Sequence, residues 1–356
     1  MTTITYYDFS DLRFASLFIN GFWANEKERG YRFDISRAAP PEFADLDPAA
    51  NWMSETVPVS LYRVDGRDPF LFCIDGDDKS GADEPWGEFY RPFLERCRYY
   101  FKVNYNAGVI AQSDELKPFA EKIKPVPVVY PIAPLQPWRL LPKVTPLNGR
   151  PWPLPAIKRR IRYLRTFTSL DDYRRLRDRD RDIDVFCNFI LYEQPKYKDM
   201  IARRRSVIDA LNQYDRFNIV AGYYCPGKSG KDACGPYETE LMDQRAYFDL
   251  NARSRVGVYV RGNHDCLAFK FGELMAMGKP IAGETLMNNK ENMYAYDRFD
   301  EQFAYDDPQA LVERVIYLLE NPRELEELRK VNTATFENHF TPKPLVKSIL
   351  DQIGIG

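Results

Sequence analysis

The residues best suited to chemistry lie in the stretch 258–284. It reads as a strand, a polar glycine-containing loop, a helix, and a glycine–proline turn into another strand. Arg261, Gly262, Asn263 and His264 come first, then Asp265, Lys270 and Glu273, with seven residues between Asp265 and Glu273. A loop at the C-terminal end of a parallel strand, feeding a helix N-terminus, is where α/β proteins hold anions, because free amides and the helix dipole point there. Arg261 adds a permanent charge on a bidentate fork. The chemistry implied is capture of a phosphate-bearing ligand beside two carboxylates. His264 reads either as a donor within this loop or as a loop residue with no role. The plainer alternative for the stretch is an unliganded strand–loop–helix, with Glu273 solvated and Asp265 a helix cap.

Two further clusters stand out. Gly222 and Tyr223 open a loop that continues through Gly227, Lys228, Gly230 and Lys231, where glycines allow close approach of backbone to phosphate. It lacks the upstream glycine spacing of a P-loop, and a long surface loop is the other reading. In the first half, Asp75, Asp77 and Asp78 end a strand. They suit a plain turn, a general base or acceptor contact, or a short metal-binding D-x-D. Asn104, Tyr105 and Asn106 close another strand and are weaker acceptor contacts.

These residues need elements to position them. The first half alternates strand-like runs at 4–9, 31–35, 57–64, 69–74, 99–104 and 126–132 with helical segments, the first over 17–28 and ended by Gly30. Short β runs separated by helices predict a parallel sheet with crossovers. Prolines crowd 131–155, and Lys158, Arg159, Arg160, Arg162 and Arg165 follow. That predicts a Pro-rich and basic linker over 151–183. The alternation restarts with strands at 183–189, 217–220 (ended by Gly222) and 255–260 and helices at 197–213 and 268–277. Gly278 and Pro280 stop the second of these helices. Asp307–Pro308 and Asn321–Pro322 open two more. The organisation expected is an N-terminal domain over 1–150, the linker, a C-terminal domain over 184–340 and a closing helix over 341–356.

With these elements in place, the Arg261-to-Pro280 stretch resembles the C-terminal domain of GT-B glycosyltransferases, in the pattern of the exostosin-like and glycosyltransferase group 1 families. Those families carry an acidic residue, seven intervening residues, a glutamate, a small-residue helix and a Gly-x-Pro turn. Here these are Asp265, Glu273, Ala276, Gly278 and Pro280. The resemblance implies an α/β GT-B fold, two Rossmann-like domains with parallel sheets facing across a cleft. It implies that Glu273 binds ribose hydroxyls and that Asp265, an aspartate where retaining members have glutamate, lies near the donor sugar. Lys270 matches a basic position of exostosin-like sequences. Gly222, Tyr223, Lys228 and Lys231 correspond to the loop that helps form the donor pocket, with Arg261 to His264 completing it. Asp75 and Asp77 fall in the half that usually supplies the catalytic base.

The activity implied is transfer of a sugar from a nucleoside-diphosphate sugar to a hydroxyl acceptor on a glycan, glycolipid or protein, independent of metal and with no cofactor. A non-catalytic GT-B-like binding protein and a sugar-nucleotide epimerase are the alternatives.

The totals fit. A chain of 356 residues with 44% hydrophobic and 29% charged residues supports two globular domains. A net charge of -2 argues against a nucleic-acid binder. Six scattered cysteines without a C-x-x-C pair predict neither a disulfide framework nor a zinc site, and two histidines exclude a multi-histidine metal centre. The polar first residues carry no signal core, and no run approaches the roughly 18 apolar residues of a membrane span. The chain is thus read as cytoplasmic. The basic cluster at 158–165 is read as a solvated face or as a peripheral contact with anionic lipid.

Overall fold

The computed structural model describes residues 1–44, 57–78, 89–141, 154–191, 197–225 and 237–355. The chain forms two compact units. The first is Met1–Leu170 together with Asn338–Gly356, and the second is Asp171–Glu337.

The first unit is built on six strands: β1 (Thr2–Tyr7), β2 (Tyr31–Ser36), β3 (Val59–Asp65), β4 (Phe70–Asp75), β5 (Tyr99–Lys102) and β6 (Ile123–Pro125). Their order across the sheet is β2-β1-β3-β4-β5-β6. All neighbours are parallel except β3, which runs antiparallel to both β1 and β4. This departs from the all-parallel expectation. Only three residues, Gly66 to Asp68, and Pro69 separate β3 from β4, which is long enough for a hairpin and far too short for a crossover helix.

Helix Leu12–Arg29 begins where the Asp11 side chain accepts from the Arg13 amide and ends at Gly30, whose φ of 67° is the left-handed C-cap. Its Gly21 permits close approach of the last helix, Pro342–Gln352. A Cβ there would lie 2.3 Å from both the Pro342 carbonyl and a Val346 methyl. This contact explains why the chain's last segment packs on the first unit.

The segment expected as a strand over 126–132 is not one. Val126, Val128, Val129, Tyr130 and Ile132 are nevertheless buried. Their apolar character reflects burial rather than ladder pairing. The linker expected over 151–183 instead contains helices Leu154–Thr166 and Leu170–Leu176. Within the basic run, Arg160 points inward. Its Nε donates to the Leu140 carbonyl at 2.9 Å and its Nη2 pairs with the buried carboxylate of Asp8. Lys158, Arg162 and Arg165 are exposed.

The second unit holds a fully parallel sheet in the order β10-β9-β7-β8. Its strands are β7 (Ile183–Ile190), β8 (Ile219–Tyr224), β9 (Ser254–Tyr259) and β10 (Ile281–Gly283). Val185, Cys187, Val256 and Val258 form its core with Val207, Leu211 and the apolar face of helix Pro308–Glu320. Asp307 caps that helix through the Ala310 amide at 2.8 Å, with Pro308 in its first turn. Gly278 takes φ 62° after helix Phe269–Ala276.

Cys225, just past β8, is disulfide-bonded. The sequence pointed away from a disulfide framework, yet this one cysteine is bridged. Cys73, Cys97, Cys187 and Cys266 are buried and form no disulfide. No helix among the described residues is long and apolar enough to cross a membrane.

Candidate functional site

The loop from β9 into helix Phe269–Ala276 is short and tightly folded. Asn263–Asp265 make a single 3-10 turn, and two consecutive non-glycine residues, His264 (φ 56°) and Asp265 (φ 55°), are left-handed. Such conformations cost energy and persist only where the surroundings enforce them. Here the Cys266 amide donates to Asn263 at 3.0 Å. The Cys266 carbonyl accepts from Gly262 at 3.2 Å and from the Tyr259 hydroxyl at 3.0 Å. Gly262 is required by proximity, since a Cβ would lie 2.4 Å from the Cys266 sulfur.

Arg261 was expected to face phosphate. Its charge is instead engaged by carboxylates. Glu284, just beyond β10 and 1% exposed, accepts from the Arg261 amide at 2.8 Å and its Nε at 3.2 Å. Asp265 lies 3.3 Å and Asp306 3.4 Å from the same guanidinium. Arg203, from helix Lys198–Leu211, reaches Glu284 at 3.0 Å and Asp265 at 3.3 Å. Two arginines thus share three carboxylates. Asp265 is held inside this network, and Asn288 donates to its carbonyl at 3.3 Å.

Two further cations lie one turn further on. The Lys270 ammonium nitrogen is buried without a hydrogen-bond partner. It sits 4.7 Å from the centroid of the Phe189 ring, and the Arg204 guanidinium lies 5.4 Å from the same centroid. Arg204 also donates to the Ile190 carbonyl at 2.6 Å. Both line a cavity of about 390 Å³ together with Asn188, Tyr224, Leu241 and Tyr247. Burial pushes the Lys270 ammonium down from its ordinary range, with Arg204 adding to the effect. Burial pushes the Glu273 carboxyl up to about 7, against the pull of Lys270. Burial, aided by the charge of Glu273, also raises the Tyr247 phenol. A mostly apolar cavity lined by two cations and Glu240, with the Glu273 carboxyl one helical turn from Lys270, suits an anionic ligand that also carries hydroxyls.

Gly222 and Tyr223 belong to strand β8 rather than to a loop. Gly222 is pressed against the Tyr237 carbonyl, 2.7 Å from where a Cβ would be. The Tyr223 hydroxyl donates to Asp209 at 3.0 Å on the helix side. Its neighbour Tyr224 faces the cavity, as the two-residue period of a strand requires. Lys228 and Lys231 lie outside the described residues.

In the first unit, Asp75 is fully buried. Its carboxylate accepts from the Tyr100 hydroxyl at 2.5 Å, from Lys102 at 2.9 Å and from the Asp77 amide at 2.8 Å. Burial raises its pKa, while Lys102 opposes the rise. So placed, Asp75 anchors its turn and presents no free oxygen to an acceptor. The Asp77 carbonyl accepts from Lys102 at 3.3 Å and Asn104 at 2.8 Å. Asn106 caps helix Ala107–Gln112. Among the described residues no group of three His, Cys, Asp or Glu side chains is placed to hold a metal ion.

Arg204, Asn188, Tyr224 and Glu284 were missed by sequence reasoning. Strand alternation was the signal available for Tyr224. For Glu284 and Arg204 the sequence holds no local signal, because their partners lie on other elements.

Residues 203–351 match the model of the glycosyl transferase-like family. None of the curated proteins matches the chain. Among solved structures the chain is similar to TarM of S. aureus, with a TM-score of 0.45 and 7% identity, covering 92% of this chain and 56% of that one. It is also similar to T4 phage BGT in complex with UDP and Mn2+ (TM-score 0.36, 10% identity, 94% of this chain and 92% of that one). A third is the pneumococcal O-GlcNAc transferase GtfA in complex with UDP and GlcNAc (0.34, 13%, 49% and 38%). The chain spans little more than half the length of TarM.

Proposed function

We propose that this chain, whose residues 203–351 match the glycosyl transferase-like family, transfers a sugar from a nucleoside-diphosphate sugar to a hydroxyl acceptor on a glycan, lipid or protein. The observation that carries the reading is the buried Lys270 ammonium, without a hydrogen-bond partner and beside Arg204 on the wall of the second unit's cavity. A buried ammonium without a hydrogen-bond acceptor is costly, and a diphosphate supplies the acceptor oxygens.

In this reading the second unit is the donor side and the first unit the acceptor side. As the glycosidic C–O bond to the diphosphate breaks, negative charge gathers on the leaving oxygen. Lys270 and Arg204, already fixed over Phe189, stabilise it without reorganisation. They supply charge in the place where a metal would, which supports a metal-independent reaction. Glu273, one turn along the helix, accepts from ribose hydroxyls when ionised. The acceptor hydroxyl forms the new C–O bond and loses its proton to a base. Arg261, Asp265 and Glu284 hold the loop beside this site. The exposed Lys158, Arg162 and Arg165 form a basic stripe that supports peripheral contact with anionic lipid.

The test is thermal melting with UDP, GDP, ADP, CMP and their sugars, with and without EDTA, on the wild type and on Lys270→Met and Glu273→Ala. A ligand at a hundredfold excess over its Kd stabilises by about 2.7 kcal/mol. Stabilisation of the wild type by one nucleotide, insensitive to EDTA and lost in the variants, is the expected result. No shift with any nucleotide sinks the donor site and leaves a non-catalytic binding protein.

A further inference from the structure

The first unit has a cavity of its own, of about 310 Å³. Phe89, Leu94 and Leu116 are its buried apolar lining and Phe119 is half-buried beside them, while the rim carries the carboxylates of Asp114 and Glu115. Both carboxylates are exposed, and neither makes a hydrogen bond or an ion pair with a described residue. Among the described residues the rim carries one cation, Arg91, which pairs with Glu95 at 2.8 Å and also feels the charge of Glu115.

The back wall is rigid. Phe89 packs on Tyr100 with centroids 5.3 Å apart and on the Lys102 ammonium at 5.4 Å. The Tyr100 hydroxyl accepts from the Tyr90 amide at 3.2 Å and donates to Asp75. The buried Asp75–Lys102 pair therefore braces the aromatic wall, so a ligand meets it preformed.

An apolar aromatic lining with two carboxylate acceptors at the rim selects a ligand with one apolar face and a ring of hydroxyl donors. A pyranose has that shape, with C–H bonds on its faces and hydroxyls at its edge. The volume, at the small end for ligand sites, fits one or two such rings. The same rim repels phosphate and other anions, so this cavity is not a second donor site.

We propose that this cavity is a subsite for a neutral pyranose. Naming that pyranose part of the acceptor glycan rests on the glycosyltransferase reading, but its binding does not.

The experiment is saturation-transfer NMR on the full chain with the methyl β-glycosides of glucose, galactose and N-acetylglucosamine. It is run on the wild type, Phe119→Ala and the doubly substituted Asp114→Asn/Glu115→Gln. The expected result is saturation of ring protons in at least one glycoside, falling about fivefold or more in both variants. The nucleotide-induced melting shift should be unchanged in both. The rim variant alters only exposed groups, so it separates binding from folding should Phe119→Ala unfold. No saturation with any glycoside, or equal saturation in wild type and rim variant, overturns the proposal. So does binding of putrescine in place of the sugars, which would make the cavity a cation site. Glycoside binding without any nucleotide effect upholds the subsite and removes only the donor reading.

Discussion

One carboxylate oxygen of Glu284 accepts both the backbone amide of Arg261, at 2.8 Å, and its Nε, at 3.2 Å. The other oxygen faces Arg203 at 3.0 Å. A single buried acid therefore joins the end of β10, the loop after β9 and the helix before β8. It also keeps Arg261 from acting as a free cation.

Substituting Glu284→Gln keeps the shape and removes the charge. Two arginines then lose their buried common anion and keep only the half-exposed Asp265 between them, and breaking a buried pair costs about 3 kcal/mol or more. Urea unfolding should show a lower midpoint with an unchanged slope. An unchanged midpoint would mean the network contributes nothing to stability.

Lys270 should behave in the opposite way. Replacing it by methionine removes a buried ammonium without a hydrogen-bond partner, so the variant should melt no lower than the wild type. Its affinity for the stabilising nucleotide should fall by about tenfold or more, as loss of a charge-assisted contact implies. Calorimetric titration checks the second part, and a variant that binds normally but melts lower would make Lys270 structural.

Glu273 predicts a pH dependence whose sign follows from its raised carboxyl. Its ordinary value is 4.5 and its value in the fold is about 7. Between these the folded state holds the proton more tightly than the unfolded state. Stability therefore falls as pH rises through that window and levels off above about 7. Nucleotide binding should move the other way and strengthen as the carboxylate forms. Glu273→Gln should flatten both profiles. Melting curves and titrations from about pH 5 to about pH 8 read the two effects together, and a wild-type profile matching the variant's would rule the group out.

Asp75 was a candidate base, and its burial predicts a structural result instead. Asp75→Asn should cost about 3–5 kcal/mol by stranding Lys102. Pairing Asp75→Leu with Lys102→Met should recover much of that loss. Transfer activity lost at full stability in Asp75→Asn would restore the catalytic role.

The sequence by itself determined the local elements. The cap Asp307, the stops Gly30 and Gly278, and the strand–turn–helix that spaces Asp265 from Glu273 depend on neighbours within a few positions, and the structure has them all; the first helix starts five residues earlier than expected, at the Asp11 cap. Apolar content also located the buried segments, including 126–132, but it did not distinguish burial from strand pairing.

What only the tertiary structure decided is which charges are matched. Arg160 finds Asp8 across 152 positions, and Arg203 finds Asp265 across 62. Arg261 and Lys270 are both cations flanking one loop, yet the first is surrounded by carboxylates and the second faces a cavity. Coulomb energy and desolvation depend on distance in space and on access to water. Neither quantity exists until β10, the helix before β8 and the loop after β9 have packed together.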